Sequence, residues 1–251
     1  MAVYIKSKRE IEGIRAASRI LAETLATVEA EIRPGVSLNE LDQVCESFIL
    51  SHGSTPTFKG YHGFPAAACI SVNEEVVHGI PSERKLVEGD IVKVDIGVTK
   101  NGFIADAART FEVGKVKPEV HSLIRTTEAS FRAGATNARA GNRVSDIGAA
   151  VQHYVEKKGY SVVRELCGHG VGLKLHEEPS IPNFGRPGRG VRLKTGMTLA
   201  IEPMVNIGGF EVATLANGWT VVTSDGKPSA HYENTILVTD GEPEILTLQN
   251  G

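Results

Sequence analysis

A chain of 251 residues can bury a core of its own, and 41% hydrophobic with 23% charged residues is the make-up of an ordinary globular protein. A net charge of −3 offers no basic surplus for nucleic acid, and the opening stretch "MAVYIKSKREIEGIRAAS" holds no apolar run fit for a signal peptide or membrane span. Cys45, Cys69 and Cys167 are widely spaced and contain no CxxC pair, which argues against a disulfide framework and for a reducing cytoplasm.

In chain order, residues 7–33 read as a helix. Ile11, Ile14, Ser18, Leu21, Leu25, Val28 and Ile32 fall at alternating spacings of three and four, one buried stripe. Ser7 with Glu10 offers a capping box, and Ser37 with Glu40 repeats it for a second helix that stops at Gly53. "AACISV" and "GDIVKVDIGV" then read as strands.

The same order recurs. A helix built on Val120, Leu123, Ile124, Thr127 and Phe131 leads into "GNRVSDIGAAVQHYVEKKGY", which aligns with "GVSLNELDQVCESFILSHGS". Gly35 maps to Gly141, Leu41 to Ile147 and Gly53 to Gly159, all offset by 106. "GDIVKVDIG" and "GMTLAIEPM" match at an offset of 107, which places Asp95 over Glu202. A duplicated half is expected, with halves of roughly 1–115 and 116–251 in one domain, related by a pseudo-twofold axis.

In "IVKVDIGVTKNGFIADAARTF" the pair Asn101-Gly102 signals a two-residue hairpin loop. That register sets Gly97 opposite Asp106 and Asp95 opposite Ala108, so the two aspartates are diagonal neighbours on one face, roughly 7–8 Å apart. Like charges there repel, and a shared cation would remove the objection. Taken alone, the pattern reads as a half-solvated strand, Val92, Val94, Ile96 and Val98 inward and Lys93 and Asp95 outward. Glu202, Glu233, His169 and His78 have equally ordinary readings one at a time. Together, four strand carboxylates and a histidine between glycines, in two matching halves, form a ligand inventory for Mn, Fe(II) or Co, and suggest two ions.

These residues carry a resemblance. "YHGFPAAACISVNEEVVHGIP", "VDIGVTKNGFIADAARTF", "CGHGVGLKLHEEP", "GMTLAIEPM" and "NGWTVVTSDGKPSAHYENTILV" are similar, from end to end of the chain, to type I methionine aminopeptidases. The resemblance implies the α+β pita-bread fold, a curved antiparallel sheet backed by helices. It implies Asp95, Asp106, His169, Glu202 and Glu233 as ligands of two divalent ions (Co, Mn, Fe(II) or Zn), Asp106 and Glu233 bridging. It makes His78 and His176 substrate-contacting histidines and Glu202 the proton carrier for an ion-activated water. Tyr61, Phe64, Cys69, Leu175 and Trp219 would line a methionine pocket with His62 at its rim, and Asn73 and Ser229 would surround a monovalent cation. Phe64 and Leu175 stand where relatives often have tyrosine and another aromatic, which bears on pocket selectivity. The glycines around His169 would let backbone pass beside the ions.

Substrates would be peptides and nascent chains with a small second residue, met near the ribosome by a cytoplasmic monomer that binds neither nucleic acid nor membrane. Two alternatives share the fold. An X-Pro peptidase usually carries a further N-terminal domain, whereas here the first ligand is already at residue 95. A non-catalytic binding protein would have lost ligands and gained basic segments. Glu233 follows Glu202 by 31 residues, too few for the type II insertion, and no N-terminal zinc-binding extension is visible.

Overall fold

The computed structural model describes residues 3–248. Helix α1 spans Lys8–Glu29 and α2 Leu38–Ser51. Both begin in reciprocal caps: the Ser7 and Ser37 hydroxyls accept from the Glu10 and Glu40 N–H, and those carboxylates accept from the serine N–H. Ile14, Ser18, Leu21, Leu25 and Val28 are the buried stripe of α1. The helix ends at Glu29, short of Ile32, with Ala30 as its C-cap.

Strands β1 (Thr55–Pro56), β2 (Ala68–Val72), β3 (Glu75–Val77), β4 (Ile91–Lys100) and β5 (Phe103–Glu112) follow. Asn101 and Gly102 both take positive φ, 52° and 82°, the two-residue loop whose twist suits a hairpin. The β4–β5 register is the one this loop sets, Gly97 opposite Asp106 and Asp95 opposite Ala108. Strand β4 is not half-solvated: every residue from Ile91 to Val98 is buried. Its apolar face packs on α1 and α2 through Leu21, Leu25, Leu41 and Cys45, and its polar face meets the second half of the chain.

That half contains α3 (Pro118–Ala135) and α4 (Val144–Lys157). Its strands are β6 (Ser161–Val162), β7 (Cys167–Gly170), β8 (Glu177–Pro182), β9 (Thr198–Ile201) and β10 (Met204–Asn206). There follow β11 (Val212–Thr214), β12 (Val221–Thr223), β13 (Ser229–His231), β14 (Asn234–Leu237) and β15 (Glu244–Ile245). Pairing is antiparallel, in the orders β15-β14-β9-β7-β8, β13-β10-β6 and β11-β12-β3. Phe131, Ile147, Leu199, Ile201 and Ile236 form the core under α3 and α4. The architecture is α+β, antiparallel strands backed by helices.

Hydrogen bonds repeat between the halves. Gly35 N–H donates to Leu86, Leu86 to Val36 and Leu38 to Arg84; at the offsets read from sequence, Gly141 donates to Leu193, Leu193 to Asn142 and Val144 to Val191. The halves join where Ala108 and Glu233 exchange backbone hydrogen bonds. On one side of that pair the Thr235 hydroxyl donates to Asp106 O and accepts from Asp106 N–H, at 2.8 and 2.9 Å. On the other, Thr110 does the same for His231, at 2.8 and 3.0 Å.

One buried ion pair shapes the approach to this centre. Glu177 accepts from Leu173 and Lys174 N–H and from Lys6 Nζ, with Lys6 and Glu177 side chains only 1% and 9% exposed. It thereby fixes the turn that presents Leu175 and His176. Replacing Lys6 with Met leaves a buried carboxylate without its cation, and a loss of about 3–5 kcal/mol in urea denaturation is expected. A loss below about 1 kcal/mol would show that solvent reaches the pair.

Candidate active site

A cavity of about 300 Å³ lies where the halves meet. Asp95 enters from β4, Asp106 from β5, His169 from β7, Glu202 from the end of β9, and Glu233 from the link between β13 and β14. The structure thus brings together all five residues expected as ligands. His169 Nε2 is 3.8 Å from Asp106 Oδ2 and 3.5 Å from Glu202 Oε1. Its Nδ1 lies 2.9 Å from Gly170 O; a hydrogen on Nδ1 bonded there leaves the Nε2 lone pair facing the carboxylates.

Donor atoms of Asp106, His169 and Glu233 lie within 4.8 Å of one another, as do those of Asp95, His231 and Glu233. Oxygens of Asp95, Asp106 and Glu233 are buried with no hydrogen-bond partner. Orphaned carboxylate oxygens are costly, and divalent ions satisfy them, so the residues fit a two-ion site. The mixture of carboxylates with imidazole suits Mn, Fe(II), Co or Zn.

Electrostatics follow burial. It pushes the Asp95 carboxyl up to about 7. Burial, then neighbouring negative charge, drives Asp106, Glu202 and Glu233 well above the carboxylate range. Burial pulls His169 down to about 4 and His231 to about 3, with the further histidines His176 and His78 adding repulsion. Burial therefore favours protonated carboxyls and neutral imidazoles in the donor set, and a cation would reverse the former.

The other end of the cavity is apolar. Phe64 and Leu175 are buried, Phe64 meets Trp219 edge-on at 5.1 Å between centroids, and Cys69 lies opposite Asp95 in the β2–β4 ladder. Burial, with Asp95 next, raises the Cys69 thiol, which keeps it a neutral lining group. Tyr61 Oη lies 2.8 Å from His176 Nδ1, and the His176 ring meets His169 edge-on at 4.4 Å. His62 and His78 complete the wall, both held at positive φ, 49° and 58°. Two lining or adjoining residues escape the sequence reading. Phe58 packs against Gly97, where an added Cβ would sit 2.7 Å from its ring, a contact with no sequence signal. His231 did have a signal, since it precedes Glu233 by two, the spacing that puts two residues on one face of extended chain.

Two expectations are corrected. The glycines beside His169 do not make room for ions: a Cβ at Gly168 would lie 2.3 Å from Ala200 O, and one at Gly170 2.4 Å from Glu178 O. Close approach of the flanking strands is what excludes a side chain. Asn73 and Ser229 lie outside the cavity lining, and their carbonyls accept from Lys93 Nζ at 2.7 and 3.1 Å. The cation these oxygens hold is the chain's own ammonium, fully buried, with burial lowering its pKa to about 7.

A helix-backed antiparallel fold around a buried carboxylate–imidazole cluster defines a metal-dependent hydrolase. Residues 12–240 match "Metallopeptidase family M24". The "Methionine aminopeptidase" of Clostridium perfringens is 55% identical, covering 98% of this chain and 99% of the relative. The crystal structure of methionine aminopeptidase from Rickettsia prowazekii superposes with a TM-score of 0.97 at 41% identity, over 98% of this chain and 100% of that one. Prolidase from Pyrococcus furiosus, at 24% identity and TM-score 0.81, covers 98% of this chain but is spanned over only 66% of its own length, and shares the fold alone. The chain belongs to metallopeptidase family M24 and, within it, to the methionine aminopeptidases, with their pita-bread fold.

Because burial raises the carboxyls, Asp95 to about 7, and keeps His169 and His231 neutral, the protons that ion binding displaces should come from the carboxyls. Calorimetry of Mn(II) binding in buffers of different ionisation enthalpy should show more proton release at pH 6 than at pH 8, with affinity rising across that range. Release that grows with pH would contradict the carboxyl assignment. Lys93→Ala takes the ammonium from two buried carbonyls, leaving that of Asn73 with the Ser229 N–H, and should cost about 1–3 kcal/mol of stability. Part of that loss should return in sodium or potassium chloride and none in choline chloride of equal ionic strength.

Proposed function

We infer that the cavity removes N-terminal methionine from peptides and nascent proteins whose second residue is small. One observation carries the reading: a single volume of about 300 Å³ joins an apolar end to a wall of buried carboxylates and imidazoles. The apolar end suits a flexible thioether, through Phe58, Tyr61, Phe64, Cys69, Leu175 and Trp219, with His62 at the rim.

Asp95, Asp106, His169, Glu202 and Glu233 would hold two divalent ions; Glu233 belongs to both donor clusters, which supports its serving both, and the resemblance gives Asp106 the same part. When bound, the ions supply Lewis acidity, making water nucleophilic near neutral pH and polarising the scissile carbonyl. The remaining work falls to side chains. Glu202, raised by burial in the bare chain and ionised once the cations are bound, would take the proton of the attacking water and pass it to the leaving amine. With the Tyr61 O–H donating to His176 Nδ1, Nε2 would keep its hydrogen and donate to the oxygen that becomes negative in the tetrahedral state. His78 holds the amide between the first two residues. The protein is read as one catalytic domain of two halves, 1–115 and 116–251, acting as a cytoplasmic monomer close to the ribosome because its substrates emerge there.

Metal-free protein titrated with Co(II), Mn(II) or Fe(II) should gain the ability to cleave Met-Ala-Ser and leave a Met-Pro dipeptide intact. Cleavage of the dipeptide alone would transfer the chain to the X-Pro peptidases. Glu202→Ala should abolish turnover with every metal. His176→Ala should lower kcat by roughly 100 to 1,000-fold while metal content is retained.

A further inference from the structure

His231 is the group that the account above leaves unused. Its ring is buried, with side-chain exposure of 2%, and neither Nδ1 nor Nε2 has a hydrogen-bond partner. Nε2 lies 3.7 Å from Glu202 Oε2 and 3.8 Å from Glu233 Oε2, beyond hydrogen-bond range. Two ligands of one ion, each roughly 2.1 Å from it, stand at most about 4.2 Å apart, and both separations fall inside that limit. A donor atom of Asp95 lies with those of His231 and Glu233, all three within 4.8 Å of one another.

The backbone gives an independent reason. Thr110 holds the N–H and carbonyl of His231 as Thr235 holds those of Asp106, across the point where Ala108 and Glu233 exchange hydrogen bonds. His231 therefore occupies the place of Asp106 in the other half, the place of an inward-facing ligand. The two halves contribute a carboxylate and an imidazole at equivalent positions.

The geometry points to His231 Nε2 as a sixth protein ligand, binding the divalent ion that Asp95 and Glu233 share. This rests on the two-ion reading and deepens it. Each ion then receives one imidazole, His169 for one and His231 for the other. Without His231 the Asp95 ion would see only carboxylate oxygen, a set that suits Mn(II); an added imidazole moves its preference toward Co(II), Fe(II) and Zn(II).

The test uses the intact protein reconstituted with two equivalents of Co(II). X-ray absorption on the unmodified protein should count one imidazole per cobalt on average. Proton NMR should show two hyperfine-shifted, exchangeable imidazole N–H signals, and His231→Gln should keep only one. Calorimetry should find Co(II) affinity at one site lowered about 10 to 100-fold in His231→Gln, with a smaller change for Mn(II). An average of half an imidazole per cobalt, or a single N–H signal that the variant retains, would overturn the assignment. Failure to bind any divalent ion would instead overturn the two-ion reading on which it stands. The absorption count needs no variant, so a misfolded His231→Gln leaves the proposal open to refutation.

Discussion

Four carboxylates share one buried wall, and most of the molecule can be understood from how that concentration of negative charge is tolerated. Burial and mutual repulsion drive the carboxyls upward, so the chain alone holds them in an unfavourable state. Two buried cations lie nearby, and neither is spent on them. The Arg109 guanidinium donates to the carbonyls of Ala108 and Glu233 and to the Asn234 side chain, and Lys93 donates to carbonyls of Asn73 and Ser229. Among the described residues no lysine or arginine pairs with Asp95, Asp106, Glu202 or Glu233. Internal positive charge is used to satisfy backbone, which leaves the carboxylates for a cation from outside.

Duplication explains how so costly a cluster is placed. A single half could present its carboxylates only on one sheet face, where water would cover them. Two halves meeting face to face bury both sets at once, and the Ala108–Glu233 exchange locks the register between them. The helices lie on the far side of each sheet, where Leu21 and Leu41 in one half and Phe131 and Ile147 in the other complete the cores. Polar chemistry is thus confined to the seam, and hydrophobic stabilisation to the flanks.

What could be read from sequence follows from how local each feature is. The serine caps of α1 and α2 and the Asn101-Gly102 loop are decided by neighbours three residues away or fewer, and the Asp95–Asp106 register came with that loop. Burial of the polar face of β4 was not local: Lys93 and Asp95 alternate with valines as they would on any solvated strand, and only the other half covers them. The role of Lys93 was hidden for the same reason, since its acceptors lie 20 and 136 residues away. The reason for Gly168 and Gly170 was hidden too, because the carbonyls that exclude a side chain belong to β9 and β8. His231 is the instructive omission. Its two-residue spacing from Glu233 was open to view, but a histidine carries no repulsion that calls for a cation, so it drew less notice than the acids.

Selectivity for a chain terminus is best argued from the cavity's two ends taken together. The apolar end is lined by the Phe64–Trp219 edge contact and buried Leu175, which suits one side chain and not a continuing peptide. Under the proposed reading, the ions held by the carboxylate oxygens at the opposite end would meet the free amine of a first residue. An internal peptide bond would have to place an amide and a preceding residue against those oxygens, and about 300 Å³ leaves little volume for either. His176 then stands between the ends, its ring fixed by Tyr61 and by the turn that Glu177 and Lys6 hold. Restriction to one residue is then a matter of space and of the ions' attraction for a free amine. The side chains nearest the substrate's methionine, Phe64 and Leu175, then set only which first residue enters.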